Sequence, residues 1–381
     1  MLPYLSQRLL EALAGTEWGV MLSPLRLFRY ITFRTAGAAV TALLLSLWLG
    51  PKVIAWLKEL RFGQAYRDKA EESARLEGRG DKRGVPTMGG LLIVLVIDVT
   101  VVAWARWNPL VILSLVSLVG LAGLGFYDDY AKIARQSSRG AAARLKLLVQ
   151  TGLALFVACY LWINPDTNKL VTEIMVPFYK RAVLTDATVL GIVLTVLTVV
   201  GSSNAVNLTD GLDGLAIGCT LIVTTAFVIM TYVAGHAVFA GYLNVPLVPG
   251  AGELTVLCAA IFGAGLGFLW FNAPPATVFM GDTGSLALGG VLGVIAVLIH
   301  QPLVLLIAGG VFVAEAGSVI LQVACHRYYR RFGGIDRRVF LMTPLHHHFE
   351  CLGWAESKIV MRFYILCILC AVMALATLKL R

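Results

Sequence analysis

Aspartates occur in three short clusters whose spacing suits phosphate chemistry. Asp128 and Asp129 are adjacent in the sequence GFYDDYAK. Asp210 and Asp213 stand three residues apart in NLTDGLDGLA, and Asp282 lies in FMGDTGS before an apolar run. Carboxylate oxygens are the ligands that Mg²⁺ prefers, and the bound ion keeps room for waters and substrate phosphates. The aspartates therefore predict a magnesium site that neutralises the charge on a departing phosphate.

Each aspartate cluster also has an ordinary structural explanation when it is taken alone. Polar side chains are common at helix ends, and aspartates near a helix N-terminus cap the helix and favour its dipole. A lone aspartate after a glycine is a normal turn residue. Three clusters that meet on one side of the molecule are harder to explain in this way, so their placement decides between the two interpretations.

Basic and imidazole side chains accompany the aspartates. Lys82, Lys132, Arg144 and Lys146 flank the clusters and would form a cationic rim for phosphates, although such residues are also common in membrane loops. The run His346–His348 in PLHHHFE invites a metal site, yet adjacent side chains on a helix or strand diverge. A phosphate-contacting or acid–base role fits the run better.

The composition indicates which solvent must surround these polar clusters. Of the 381 residues, 58% are hydrophobic and 14% are charged, against about 25% charged in ordinary soluble domains. A soluble chain of this composition could not cover its surface with polar groups, so the lipid bilayer is the expected solvent. The net charge of +9 does not predict nucleic-acid binding, because the basic residues are divided among short loops and form no single stripe.

Apolar runs of about 20 residues predict the helices that must position the clusters. The fold class expected is an all-α integral membrane protein with about ten transmembrane helices. The predicted spans are approximately 27–49, 88–106, 109–127, 144–163, 187–203, 214–234, 254–271, 284–300, 302–324 and 358–379. Small residues at helical spacing, Gly263 with Gly267 and Gly289 with Gly293, predict faces where helices pack closely.

The distribution of lysine and arginine predicts the orientation. The loops after the odd-numbered spans carry twenty of these residues, and the opposite side with both termini carries nine. Because cytoplasmic loops collect positive charge, the odd-numbered loops are expected in the cytoplasm and both termini in the periplasm. All of the polar clusters then fall on the cytoplasmic face, which is where the active site is expected.

Two acidic residues lie inside predicted spans. Asp98 and Glu315 would each cost about 2.5–3.5 kcal/mol at a helix centre, so both should face the bundle interior or a wet cavity. Glu315 and Gln322 are seven residues apart and share a helix face, which we expect to line the site. The sequence offers no role for Asp98.

Five motifs occur in an order that resembles one enzyme family. They are KRGVPTMGG, GFYDDYAK, SNAVNLTDGLDGLA, FNAPPATVFMGDTGSLALGG and PLHHHFE, and the likeness runs from about Arg61 to Arg381. The sequence resembles the bacterial phospho-N-acetylmuramoyl-pentapeptide transferases (translocase I), within the polyprenyl-phosphate N-acetylhexosamine-1-phosphate transferase superfamily. One departure is Val85, where the family pattern usually has threonine, but the neighbouring Thr87 is retained. The expected substrate is therefore unchanged.

The resemblance implies a membrane enzyme of bacterial cell-wall synthesis. The implied donor is UDP-N-acetylmuramoyl-pentapeptide, the acceptor is undecaprenyl phosphate, and the products are lipid I and UMP, in the first membrane step of peptidoglycan synthesis. The resemblance also implies Mg²⁺ as the cofactor, a multi-pass location in the bacterial inner membrane and a homodimer. No nucleic-acid partner is expected.

The resemblance further implies roles for individual residues. Asp128 would be the base that deprotonates the lipid phosphate, and Asp282 would bind Mg²⁺ with Asp129 nearby. His346 would join these aspartates in the catalytic set. The implied substrate-binding residues, with Phe279 stacking on the base in a uridine pocket, are Lys82, Thr87, Lys132, Asn207, Asp210, Gly211, Leu212, Asp213, Asn272, Phe279, Gln322, His347 and His348.

Two other functions compete with this one. A sister enzyme that transfers N-acetylglucosamine-1-phosphate to the same lipid shares the aspartates, but the PLHHHFE and NLTDGLDGLA motifs favour the muramoyl-pentapeptide enzyme. A proton- or cation-coupled transporter would instead spread its charges through the membrane midplane and interrupt its helices there.

The sequence predicts two parts of the chain. Residues 1–26 are expected to be a periplasmic segment and residues 27–381 a single membrane transferase domain.

Overall fold

The computed structural model describes most of the chain. The described residues are 1–14, 16, 21–59, 84–135, 140–332 and 338–380. Lys82, one of the predicted substrate-binding residues, lies outside them.

The described residues are helical, with no β-strand among them beyond an isolated bridge between Ile174 and Leu184. The helices are α1 (Leu2–Ala12), α2 (Ile31–Glu59), α3 (Gly90–Trp104), α4 (Pro109–Ala134), α5 (Ala143–Ile163), α6 (Lys169–Thr172), α7 (Thr188–Thr209), α8 (Leu215–Ala234), α9 (Ala237–Leu243), α10 (Gly252–Asn272), α11 (Gly281–Leu298), α12 (Pro302–Ala308), α13 (Gly310–Phe332), α14 (Leu345–Cys351) and α15 (Glu356–Ala376). A short 3₁₀ helix, Ser23–Arg29, precedes α2.

Eight of the described helices are long and apolar enough to cross a membrane: α2, α4, α5, α7, α8, α10, α11 and α15. A ninth apolar helix, α3, has 15 residues and corresponds to the predicted span 88–106. The all-helical membrane fold expected from the sequence is therefore confirmed. The number of spans, the side of each terminus and the side of the polar clusters stay predictions.

The predicted span 302–324 is not one continuous helix. It consists of α12 and α13, which meet at Gly309 with a bend of 87°. Sharp bends of this kind arise where glycine or proline interrupts the helical hydrogen bonds, and Gly309 donates its own N–H back to Leu305 at 2.7 Å to end α12. The apolar pattern continues through the bend, which is why the sequence reads as a single span.

Helix α11 lies at the centre of the bundle and packs against α4 and α7, while α2 lies along α10. The predicted small-residue faces are confirmed as close approaches between helices. A Cβ atom at Gly289 or Gly293 would collide with Ser202 on α7, and one at Gly263 would collide with the backbone of Ala39 on α2. These contacts bring helix backbones together without a bulky side chain between them.

A buried ion pair joins α2 to α10. Two nitrogens of Arg34 lie 2.5 and 2.7 Å from the carboxylate oxygens of Glu253, which also accepts the backbone N–H of Arg106 at 2.8 Å. Arg34 is 1% exposed and Glu253 is 8% exposed, so water solvates little of either charge. This arginine within a span was not predicted from the sequence to have a buried partner.

Replacing Glu253 with alanine should destabilise the fold strongly. The change leaves the Arg34 guanidinium buried without its counter-charge, which costs about 3–5 kcal/mol. Thermal unfolding of the purified protein in detergent measures the loss. The double variant Arg34→Met/Glu253→Leu removes both charges, so it should unfold at a higher temperature than Glu253→Ala. The reverse order would contradict the cost assigned to the unpaired Arg34 charge.

Candidate active site

Three of the predicted aspartates converge. Asp128 and Asp129 come from the end of α4, and Asp282 comes from the first turn of α11. One carboxylate oxygen from each lies within 4.8 Å of the others. Asp128 is fully buried and Asp129 is 4% exposed. We call these three residues the acidic cluster. Asp210 and Asp213 lie outside it.

Two lysines neutralise most of the charge of the acidic cluster. The Lys132 Nζ atom lies 2.6 Å from Asp128 Oδ2 and 3.0 Å from Asp282 Oδ2. The Lys146 Nζ atom reaches the same two oxygens at 2.8 and 2.7 Å. Lys132 is one turn beyond Asp128 on α4, whereas Lys146 arrives on α5. Three carboxylates facing two ammonium groups leave an excess negative charge, which favours a further cation.

Asp129 ties α4 to the start of α11. Its Oδ1 atom accepts the backbone N–H of Asp282 at 3.2 Å, and its Oδ2 atom accepts the backbone N–H and the hydroxyl of Thr283 at 3.0 and 2.8 Å. The first N–H groups of a helix have no partner within the helix, and a carboxylate there also favours the helix dipole. Each carboxylate oxygen retains a second lone pair, so this capping is compatible with cation binding.

Two close approaches fix the outline of the acidic cluster. A Cβ atom at Gly125 would collide with the carbonyl oxygen of Asp282, so glycine lets α4 meet α11 at the level of the aspartates. Gly281 has a φ of +72°, and its Cβ would lie 2.7 Å from Asp129 Oδ2 and 2.9 Å from Thr87 Oγ1. Thr87, a predicted substrate-binding residue, therefore lies at the edge of the acidic cluster.

Asn207 faces the acidic cluster from α7. Its side-chain amide donates hydrogen bonds to Asp282 Oδ1 at 2.9 Å and to Ser285 Oγ at 2.8 Å. The amide is thus engaged with a cluster carboxylate before any substrate is present. Asn207 was predicted to bind substrate, and in the structure it also binds the carboxylate of Asp282.

The turn between α7 and α8 is held against the segment that precedes α11. Asp213 Oδ2 accepts the backbone N–H of Ala276 at 3.1 Å. Asn272 accepts the N–H of Gly214 at 3.0 Å and donates to the carbonyl of Val278 at 2.8 Å. Two predicted pocket residues therefore act as buried connectors between the two segments. Asp210, Gly211 and Leu212 lie on the same turn.

Phe279 lies where the segment that precedes α11 meets residues 84–89, which precede α3. Its N–H donates to the carbonyl of Pro86 at 2.9 Å, and its carbonyl accepts the N–H of Gly89 at 2.8 Å. The side chain is half-buried. Phe279 is thus held by its backbone next to Thr87, and the structure brings two predicted substrate-binding residues to one place.

The histidine segment packs on α13. His346 is fully buried, its backbone N–H donates to Glu315 Oε1 at 3.2 Å, and its Nδ1 lies 3.2 Å from Glu315 Oε2. Its Nε2 lies against Gly211, where a Cβ atom would collide with it. Glu315 is also fully buried, as expected of an acid within a span, so at this position the α13 face lies beneath His346 and does not open to a substrate.

The remaining polar residues of this region hold the backbone before α14. Gln322 donates to the carbonyl of Phe340 at 3.0 Å and accepts the N–H groups of Val339 and Phe340 at 3.0 Å. His348 Nδ1 accepts the N–H of Leu341 at 3.2 Å, and His347 lies 2.5 Å from Glu350. His346 is outside the acidic cluster and joins the turn at Gly211 to α13.

Comparisons with known proteins decide the family. The glycosyl transferase family 4 model matches residues 111–300, and the phospho-N-acetylmuramoyl-pentapeptide-transferase signature 1 matches residues 82–94. Two relatives are named phospho-N-acetylmuramoyl-pentapeptide-transferase. The one from Desulfotalea psychrophila is 49% identical over 93% of this chain and 95% of the relative, and the one from Methylacidiphilum infernorum is 45% identical over 94% and 96%.

The chain belongs to the phospho-N-acetylmuramoyl-pentapeptide-transferase family. The resemblance recognised from the sequence motifs is thereby confirmed. The site also fits the chemistry that the family name describes. Carboxylate oxygens within 4.8 Å of one another form a hard donor set, which can hold a divalent cation that also binds phosphate oxygens.

Adding one methyl group at Gly125 should disrupt the acidic cluster. The new Cβ of Gly125→Ala would collide with the Asp282 carbonyl and push α4 away from α11, at a cost of about 1–3 kcal/mol in unfolding free energy. Gly123→Ala, two residues earlier on α4, meets nothing within 4 Å and serves as the matched control. Thermal unfolding of both variants in detergent measures the difference; equal stability would contradict the close approach.

Proposed function

We propose that this member of the family transfers phospho-N-acetylmuramoyl-pentapeptide from its UDP-linked donor to undecaprenyl phosphate, giving lipid I and UMP. The observation that carries the proposal is the acidic cluster with its two lysines, in a chain whose relatives are named for this transfer. Both substrates are anionic, so cations must offset their repulsion before the two phosphates can meet. Lys132 and Lys146 supply two cations, and the acidic cluster supplies ligands for a third.

In the proposed reaction, an oxygen of the lipid phosphate attacks the donor phosphorus that carries the sugar. A new phosphorus–oxygen bond forms as the bond to the UMP oxygen breaks, and UMP leaves with the electron pair. Phosphoryl transfer depends mainly on positioning and on electrostatic stabilisation of the phosphate oxygens. Mg²⁺ held by Asp282 and Asp129 would supply part of that stabilisation.

Asp128 is the proposed base that accepts the proton from the lipid phosphate. Its Oδ2 atom is shared by Lys132 at 2.6 Å and Lys146 at 2.8 Å. Incoming phosphate oxygens compete with the Asp128 oxygen as acceptors for both ammonium groups. Each ammonium group has three donors and no acceptor, so it can bind the phosphate oxygens in the same way. As the lysines turn to the substrate, Oδ2 becomes available for the proton. The same two side chains then hold the phosphates in place.

The proposed nucleotide pocket lies beside the acidic cluster. The turn that carries Asp210 to Asp213, with Asn272 and Phe279, would bind uridine, and Phe279 would stack on the base. Its support is the network that joins this turn to residues 276–278. The other proposed contacts to donor phosphate, sugar or peptide are Lys82, Thr87, Lys132, Asn207, Gln322, His346, His347 and His348.

We propose that the enzyme is a homodimer in the bacterial inner membrane, with both termini in the periplasm and the site facing the cytoplasm. Positive charge supports the orientation, because the loops beside the acidic cluster and the histidine segment carry most of the lysines and arginines. A donor that is soluble in water and an acceptor that is soluble in lipid can meet only where these two phases touch.

A coupled transporter remains the alternative from another class, and one observation favours it. The break between α12 and α13 is the kind of interrupted helix that transporters use around a binding site. The acidic residue nearest that break, Glu315, is however buried against His346, and Asp128, Asp129 and Asp282 gather in the acidic cluster away from it. The identity to named transferases outweighs the bend.

The donor identifies the reaction. Purified protein in detergent, given undecaprenyl phosphate, Mg²⁺ and UDP-N-acetylmuramoyl-pentapeptide, should release UMP and form a lipid-linked product. The same assay with UDP-N-acetylglucosamine should release none. Release from UDP-N-acetylglucosamine alone would identify the sister enzyme, and nucleotide-independent ion uptake by reconstituted protein would favour the transporter.

Replacing Asp282 with asparagine should abolish UMP release. The variant loses a charged ligand and a partner of both lysines, so turnover should fall by about a hundred- to a thousandfold, as when an electrostatic catalytic group is removed. Asp166→Asn, an exposed aspartate outside the predicted cytoplasmic loops, is the control and should behave like the wild type. Near-normal turnover of Asp282→Asn would exclude this residue from the site.

A further inference from the structure

Helix α5 delivers Lys146 to the acidic cluster although it is loosely held in the bundle. Much of its surface is exposed and apolar, with Leu148 69%, Phe156 52% and Trp162 49% exposed. Lipid tails are as apolar as these side chains, so the hydrophobic effect does not hold such a helix against its neighbours, and close packing and interhelical hydrogen bonds must do so. The buried residues of α5 are Gln150, Ala154, Val157, Ala158 and Leu161.

Gln150 is the polar member of that buried set, and both ends of its amide are used. Its Nε2 donates to Ser203 Oγ at 2.9 Å, and its Oε1 accepts from Asn204 Nδ2 at 2.9 Å. The Ser203 hydroxyl in turn donates to the carbonyl of Leu286 at 2.9 Å. Gln150 is fully buried. One amide therefore connects α5 to α7 directly and, through Ser203, to α11.

The network around Gln150 lies one helical turn from the acidic cluster on all three helices. On α5, Gln150 follows Lys146 by four residues, which places both on one face. On α11, Leu286 follows Asp282 by four residues, and Asn207, which binds Asp282, is four residues after Ser203 on α7. Each of the three helices thus carries two groups that are one helical turn, about 5.4 Å, apart. One group belongs to the acidic cluster or binds it, and the other belongs to the network around Gln150.

We propose that Gln150 is a positioning residue, which sets the register of α5 so that Lys146 reaches Asp128 and Asp282. Without the amide, α5 loses its hydrogen bonds to Ser203 and Asn204, and the Lys146 ammonium is no longer held at 2.7 Å from Asp282. Gln150 itself is buried beneath the cluster and acts through Lys146. The kinetic form of this inference rests on the proposed function.

A double-mutant cycle tests whether Gln150 acts through Lys146. In the wild-type background, Gln150→Leu keeps the side-chain size, removes both hydrogen bonds and should lower the rate of UMP release on the order of ten- to hundredfold. In the Lys146→Met background the same change should lower the remaining rate by less than about twofold, because the interaction that it disturbs is already absent. Equal losses in the two backgrounds, or no loss in either, would overturn the proposal.

Two further variants guard against general effects of a buried polar change. Ser203→Ala removes the acceptor of the Gln150 Nε2 and the bond to the Leu286 carbonyl, but it keeps the bond from Asn204 to Gln150. It should give a smaller loss that depends on Lys146 in the same way. Thr195→Val on α7 removes a buried hydroxyl that bonds only to Gly191 of its own helix at 2.9 Å, so its rate should match the wild type. A loss in Thr195→Val as large as that in Gln150→Leu would assign the effect to general destabilisation.

A measurement that does not depend on activity separates this inference from the proposed function. In an experimental structure of Gln150→Leu, the Lys146 Nζ should lie beyond hydrogen-bond distance from Asp282 Oδ2, whereas it lies 2.7 Å away here. An unchanged distance would refute the positioning role. Failure of the wild type to release UMP would refute the proposed function alone, and the structural comparison would still decide the role of Gln150.

Discussion

The repulsion among three carboxylates is the constraint on which the rest of the site depends. Two like charges about 4 Å apart repel by roughly 4 kcal/mol at an effective dielectric constant of about 20, and Asp128, Asp129 and Asp282 lie within 4.8 Å of one another. The fold sustains this arrangement because Lys132 and Lys146 face the cluster and the first turn of α11 donates to Asp129. The remaining negative charge is what makes the site able to attract a divalent cation.

The bundle is built so that these charges can be brought from three helices. Helix α11 occupies the centre, and the absence of a side chain at Gly125 lets α4 approach its first turn. Asn207 on α7 and Lys146 on α5 complete the ring around Asp282. At its other side the turn at Gly211 is packed by His346, which Glu315 holds from α13. The charged groups of the acidic cluster and its lysines are therefore positioned by helix ends, while the apolar spans provide a rigid frame.

Much of this arrangement could be predicted from the sequence, and what failed has a physical reason. Apolar length predicts the long helices, because membrane spans have a fixed thickness to cross. The bend at Gly309 was missed because hydropathy continues through it. The contact of Gly125 with Asp282 could not be predicted, because which helix ends meet depends on close backbone contacts between distant segments. The partnership of Glu315 with His346 and the network of Gln150 are likewise long-range, and local spacing carries no information about them.

Whether Asp128, Asp129 and Asp282 bind one cation together can be measured directly. Mn²⁺ is the direct probe, because it accepts the same oxygen ligands as Mg²⁺ and scatters X-rays anomalously. Crystals of the protein soaked in Mn²⁺ with UMP should show one anomalous peak within coordination distance of Asp282 and of at least one of Asp128 and Asp129. A fully occupied peak elsewhere in the protein, with none at these carboxylates, would contradict the account.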